Sequence, residues 1–240
     1  MKQLLLNLDL RHAQTFASFV VGEQVELIAL MQRFAEGKTG VLGERAVYIW
    51  GEHGAGKTHL LQALQCAHNS RCLTQSHSID EFEFDPTIGL YLIDDCHQLD
   101  DVKQIAAFNL YNQVRERGGL WVATGDAAPA LLSLREDLRT RLGWGLVFQL
   151  NGLTDQQKIN ALEHAAAARG VTLPEGALPY LITHFRRDMP SLSALLDALI
   201  NLSLEIKRPI TMPFVREVMN QFIADGASNP DSRHKKVIHV

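Results

Sequence analysis

Gly51-Glu52-His53-Gly54-Ala55-Gly56-Lys57-Thr58 matches the pattern G-x-x-x-x-G-K-[ST] at every position. Gly51, Gly54 and Gly56, with the small Ala55 between the last two, let backbone N–H groups wrap a phosphate chain. Lys57 would reach the terminal phosphates, the Thr58 hydroxyl would bind Mg²⁺, and His59 would complete the phosphate-binding run. His53 and His59 flank the loop, but their spacing suggests no metal site of their own. A second chemical feature is the apolar run Leu90-Tyr91-Leu92-Ile93, which delivers Asp94 and Asp95 at its end. Asp94 would hold Mg²⁺ through water and Asp95 could polarise an attacking water. Aspartates also begin turns, so this pair has weight only beside the intact phosphate loop. Thr124-Gly125-Asp126 follows a further apolar run, where Thr124 and Asp126 either report on a terminal phosphate or form an ordinary turn. Arg139 and Arg141 precede Leu142-Gly143-Trp144-Gly145. Either arginine could sit solvated on a helix end, or reach into a neighbouring subunit's site. The ligand implied is a nucleotide with Mg²⁺.

These groups need a scaffold that aligns strand ends. The periodicity predicts strands at 46–50, 71–75, 90–93, 120–124 and 146–150, alternating with helices at 58–67 and 102–117. Ile105, Phe108, Leu110, Tyr111 and Val114 form the expected buried stripe of the second of these helices. Near-continuous apolar strands of this kind imply an α/β fold with a parallel sheet covered on both faces. After Leu150 the strand pattern stops. Four helices are expected at 154–169, 174–185, 191–207 and 213–223, the first opened by the capping box of Thr154 to Gln157 and stopped near Gly170. No internal repeat is visible.

Composition bounds the rest. The 240 residues are 46% hydrophobic and 21% charged, which excludes a chain disordered throughout and a collagen-like one. A formal charge of −4 argues against a broadly basic nucleic-acid-coating protein. Cys66, Cys72 and Cys96 form neither a CxxC pair nor zinc spacing and read as reduced, cytoplasmic thiols. Gln3-Leu4-x-Leu6-x-Leu8 is too short and too interrupted for a signal peptide or membrane segment. It fits either a strand packed on its own chain or a short peptide docking in a partner's apolar cleft. The stretch 224–240 is polar, ends in Arg233-His234-Lys235-Lys236, and is expected to be a mobile tail.

Taken together, the phosphate loop, the Asp-Asp strand, Thr124-Gly125-Asp126, Arg141-Leu142-Gly143-Trp144-Gly145 and the helical segment resemble an AAA+ P-loop NTPase with a small all-α lid. More narrowly, Phe16-Ala17-Ser18-Phe19-Val20-Val21-Gly22, the loop through Ala63, and the Arg141–Gly145 run resemble the ATPase module of the bacterial initiator DnaA. The resemblance implies an adenine pocket at Phe16, Phe19, Val20 and Gly22, and a trans-acting arginine finger at Arg141. It covers roughly residues 14 to 222. Three departures stand out. No helix-turn-helix domain follows the helical segment, and only 21 residues lie between Cys72 and Asp94, where initiators carry extra helices. Pro190 occupies the position of the family's second sensor arginine, so lid sensing of ATP is degenerate here, with Arg186 or Arg187 as the nearest substitutes.

A short DnaA-like chain of this kind resembles the Hda family, regulatory inactivators of DnaA. That resemblance implies that Gln3, Leu4, Leu6 and Leu8 bind the DNA polymerase sliding clamp (its β subunit). It further implies that the protein stimulates hydrolysis of DnaA-bound ATP, acting as a cytoplasmic inhibitor of replication initiation that meets DNA only through the clamp. The expected organisation is a clamp-binding segment at 1–13, a nucleotide-binding domain at 14–150, a lid at 151–223 and a tail at 224–240. Asp95, where many related ATPases have Glu, implies slow intrinsic turnover. The alternative is a self-sufficient AAA+ ATPase such as a DnaA-related helicase loader. Self-association is left open.

Overall fold

The computed structural model describes residues 14–16, 19, 20, 22, 24–38, 44–66 and 69–227, with the side chains of 225–227 left aside. Gln3, Leu4, Leu6 and Leu8 lie outside the described residues. The described chain divides into two compact units at Leu153 and Thr154.

The first unit contains helix α1 (Val25–Ala35), strand β1 (Ala46–Trp50), α2 (Lys57–Gln65), β2 (Ser70–Leu73), β3 (Leu90–Ile93), α3 (Asp101–Glu116), β4 (Leu120–Gly125), α4 (Glu136–Leu142) and β5 (Leu146–Gln149). All strand pairs are parallel, in the order β2-β3-β4-β1-β5. The continuous apolar runs are explained by burial on both faces, since successive side chains on a strand point to opposite sides. Val47, Ile49, Leu92 and Val122 meet Leu27, Met31, Phe34, Leu60 and Leu64 of α1 and α2. The intervening Tyr48, Tyr91, Ile93, Trp121 and Ala123 meet Leu110, Tyr111 and Val114 of α3, and Leu138 and Leu142 of α4. Helix α1, which the sequence reading left unassigned, shows its amphipathic spacing in the buried Leu27, Ile28, Leu30, Met31 and Phe34.

In this unit β2 and α3 depart from expectation. Strand β2 stops at Leu73 instead of Gln75, because Thr74 turns the chain: its N–H donates to His77 Nδ1 at 3.0 Å. On α3 the buried side is Gln104, Ala107, Leu110, Tyr111 and Val114, with Phe108 half-buried and Ile105 exposed. Gln104 takes the buried place because its amide donates to Leu99 O at 2.7 Å and accepts from Arg135 N–H at 2.9 Å. A buried amide with both ends satisfied joins α3 to the start of α4 at little cost. Between β2 and β3 the helical content is a single 3₁₀ turn, Ile79–Phe82.

The second unit is all-helical: α5 (Asp155–Ala168), α6 (Ala177–His184), α7 (Met189–Ile206) and α8 (Met212–Ala227). Thr154 caps α5 by accepting from Gln157 N–H, whose side chain returns the bond. Helix α6 starts later than expected, at Ala177, because Gly176 enters it with φ +78°. Helix α8 continues past the expected end at Ile223, so the stretch from 224 to 227 is helix and not tail. Helix α7 is long and apolar enough to cross a membrane by length and composition, but Leu192, Leu195, Leu196, Leu199 and Ile200 lie in this unit's own core.

Candidate functional site

Parallel strands bring their carboxyl ends to one edge of a sheet, and that edge is where the candidate groups meet. Pairing of Ile49 with Thr124 and of Ile93 with Ala123 sets the ends of β1, β3 and β4 side by side. Gly51 leaves β1 between two neighbours: its N–H donates to Gly125 O at 3.3 Å, while Leu150 N–H donates to Trp50 O at 2.7 Å. A Cβ at Gly51 would fall far inside van der Waals contact with the Leu150 carbonyl oxygen.

The loop turns through Gly54 at φ +81° and Gly56 at φ +104°, conformations open chiefly to glycine. Lys57, 7% exposed, donates from Nζ to Gly51 O at 2.7 Å and Glu52 O at 3.0 Å, so its ammonium lies across the loop. Helix α2 begins at Lys57 without a side-chain cap and without an acidic residue in its first turn. By contrast, Asp100, Thr154 and Asp188 cap α3, α5 and α7. An uncapped helix start beside a buried ammonium offers N–H donors and positive dipole to an anion. The residues therefore fit a nucleotide's phosphates.

Thr58 is exposed next to Lys57, and Ala55 is buried beneath the loop. His59 donates from Nε2 to Thr15 O at 3.1 Å, and Phe19 meets its ring edge-on at 5.3 Å. Burial pushes the His59 imidazole below its ordinary pKa, with the bond to Thr15 acting in the opposite direction. The Phe19 ring also lies 3.1 Å from where a Gly56 Cβ would be, and Phe16 joins the same apolar cluster. The expected adenine-pocket residues Phe16 and Phe19 are thus carried to α2; Val20 is half-buried and Gly22 exposed at φ +53°.

Asp94 and Asp95 follow β3 as expected, and the structure adds their organiser. The fully buried Thr124 hydroxyl donates to Asp94 Oδ1 at 2.7 Å and accepts from Asp95 N–H at 2.8 Å. Its proton is committed to Asp94, so Thr124 acts on the site by orienting the Asp94 carboxylate and fixing the Asp95 backbone. Asp95 adopts the left-handed region at φ +49°, and its carboxylate accepts from Gln98 Nε2 at 3.3 Å. Asp126 is exposed and lies 3.8 Å from His97 Nδ1. The oxygen donors of Thr58 and Asp94 are chemically suited to Mg²⁺. Thr124→Val keeps the shape but strips both hydrogen bonds. It is expected to cost about 1–3 kcal/mol of stability, read as a lower urea midpoint; an unchanged midpoint would contradict the network.

Arg141, in the last turn of α4, has a different setting. Its Nε donates to Asn112 Oδ1 at 3.1 Å, and its guanidinium lies 3.7 Å from the Trp144 ring centroid and 5.3 Å from that of Phe108. In the sequence Phe108 is read only as part of the α3 stripe, Trp144 only as part of the Arg141–Gly145 run, and Asn112 not at all, because nothing local pairs α3 with a residue 29 positions further on. In the helical unit, Pro190 sits in the first turn of α7, where its fixed φ suits the helix and its missing N–H costs nothing. Arg186 pairs with Asp188 at 3.2 Å and Arg187 is exposed.

A parallel sheet of this order, with a glycine loop at β1 and paired aspartates at β3, defines an AAA+ P-loop protein. Residues 155–219 match the family model for the Hda lid domain, and residues 10–77 match that for the bacterial DnaA ATPase domain. An uncharacterized protein of Haemophilus influenzae is 38% identical over 186 residues, spanning 72% of this chain and 80% of that one. Among solved structures, domain III of Thermotoga maritima DnaA superposes with a TM-score of 0.66 at 19% identity, covering 88% of this chain and 98% of the other. AMPPCP-bound DnaA from Aquifex aeolicus gives 0.62 at 19% identity, covering 81% of this chain and 65% of that one. A variant of Thermotoga maritima RuvB gives 0.59 at 18% identity, covering 86% and 71%. The chain belongs to the DnaA-related AAA+ family and carries an Hda-type lid.

Proposed function

We propose that this protein binds ADP or ATP with Mg²⁺ and promotes hydrolysis of ATP held by a DnaA initiator, lowering the supply of the active form. The observation that carries the reading is the union, in one chain, of a DnaA-type ATPase segment with an Hda lid. Gly51, Gly54, Ala55, Gly56, Lys57, Thr58 and His59 would hold the phosphates. Thr58, Asp94 and Asp95 would position Mg²⁺ and water, with Thr124, expected with Asp126 as the first sensor, acting through the Asp94 carboxylate to which it donates. Phe16, Phe19, Val20 and Gly22 would line the adenine pocket, and Pro190 would stand where the second sensor is lost. Arg141 would act on DnaA's nucleotide, and Gln3, Leu4, Leu6 and Leu8 would tether the protein to the sliding clamp. Its place of action would be the cytoplasm.

The test is DnaA-ATP hydrolysis with the protein present, with and without clamp loaded on DNA. Stimulation that needs the clamp, and is lost in the Gln3→Ala/Leu4→Ala variant together with clamp pull-down, is the expected result. Stimulation indifferent to the clamp would overturn the tether. A second reading, a self-sufficient ATPase, is favoured by the complete set of Lys57, Thr58, Asp94 and Thr124 at one sheet edge. Hydrolysis by the protein alone at a rate unaffected by DnaA would support that alternative.

A further inference from the structure

Arg141 is held as few surface arginines are. Its guanidinium stacks on Trp144 at 3.7 Å, has Phe108 at 5.3 Å, and is fixed in rotation by the Nε bond to Asn112. Its two terminal amino groups have no partner among the described residues, although carboxylates are close by. Glu136 and Asp137 line the same open cavity of about 610 Å³, together with Phe108, Arg135 and Thr140. Asp137 is bonded to Arg135 at 3.0 Å instead. A purely structural arginine would use its fork on such a carboxylate, since the bidentate pair is the strongest bond it can make. Arg115 adds a second guanidinium 5.0 Å from the same Trp144 ring, so Trp144 is a shared support for two cations. Trp144 is 51% exposed, which is a poor place for a large aromatic unless its faces have another use.

We propose that Trp144 and Asn112 are positioning residues: they hold the Arg141 guanidinium in one plane, with its terminal amino groups uncommitted, ready for a phosphoryl group presented by a partner. An exposed arginine loses much side-chain freedom when it engages a ligand. Stacking removes that freedom before the encounter, so the rate-enhancing contact forms without a further search. The ligand chemistry is a nucleotide phosphate in another molecule's site. This inference rests on the reading of Arg141 as acting in trans.

Two measurements keep the two ideas separate. In the full-length protein, the Arg141 Nε–H resonance should be shifted upfield by the Trp144 ring; the shift should vanish in Trp144→Ala and persist in reduced form in Trp144→Phe. In DnaA-ATP hydrolysis titrated with the protein, Trp144→Ala should lower the plateau rate about 10-fold with the half-saturating concentration within about twofold. Trp144→Phe should recover most of the plateau. A raised half-saturating concentration with an unchanged plateau would make Trp144 a docking contact and overturn the proposal. Absence of the ring-current shift would overturn it whatever the kinetics. If the shift is present but Arg141→Ala stimulates normally, the functional reading of Arg141 falls, and its positioning has no catalytic consequence.

Discussion

Arg141→Ala is expected to reduce the stimulated hydrolysis of DnaA-bound ATP by about 10³-fold or more, the scale typical of an arginine supplied in trans. That corresponds to about 4 kcal/mol of transition-state stabilisation. The structure makes the effect separable from folding. Arg141 is at the last turn of α4, half-buried, with one side-chain hydrogen bond and no ion pair among the described residues. Its neighbour Leu142, not Arg141, is what α4 contributes to the core at that turn. Clamp capture and thermal stability should therefore remain near wild type while stimulation is lost. Arg141→Lys should recover little, because an ammonium keeps the charge but neither the planar fork nor the stacked geometry on Trp144. A stimulation rate within a few-fold of wild type in Arg141→Ala would remove this residue from the mechanism.

The second large effect concerns stability. Gly51→Ala is expected to destabilise the protein by about 3 kcal/mol, the upper end for forcing extra volume into a packed region. The added Cβ would overlap the Leu150 carbonyl oxygen and lie 3.1 Å from its carbon. Those are backbone atoms, and the strand end they belong to is pinned by Leu150 N–H donating to Trp50 O at 2.7 Å. A flexible side chain could rotate away; this peptide cannot without opening the edge of the sheet. Gly54→Ala is the built-in comparison. Nothing lies within 4 Å of its Cβ, so only the left-handed φ of +81° is penalised, at about 1–2 kcal/mol. Urea denaturation of the two variants should rank Gly51→Ala clearly below Gly54→Ala. Equal midpoints would show that the strand end at Leu150 yields more readily than its hydrogen bonding indicates.

Both predictions touch residues visible in the sequence, but for different reasons. Gly51 belongs to an eight-residue motif whose chemistry is local: glycine conformations, a lysine and a helix start within a few positions of one another. Strands β1, β3 and β4 were legible because double-sided burial makes them continuously apolar, and β5, a half-exposed edge strand, through Leu146, Val147 and Phe148. Helix α3 was legible as a helix and in the buried Leu110, Tyr111 and Val114, but not in the facing of its N-terminal part. A period of 3.6 with several apolar candidates does not say whether Gln104 or Ile105 is inside, and that depends on the Arg135 backbone arriving from α4.

The site divides the same way. Sequence alone determined that a glycine-rich loop and a helix start follow β1 and that two carboxylates follow β3, because each is written within one short segment and obeys backbone rules that need no distant partner. Tertiary structure alone decided that the Thr124 proton belongs to Asp94, 30 positions away, and that Arg141 lies on Trp144 with Asn112 at its Nε. A polar side chain's role is set by which donor or acceptor lies within about 3 Å of it. Between segments so far apart, that is settled by strand order and helix docking, neither of which any local pattern of residues contains.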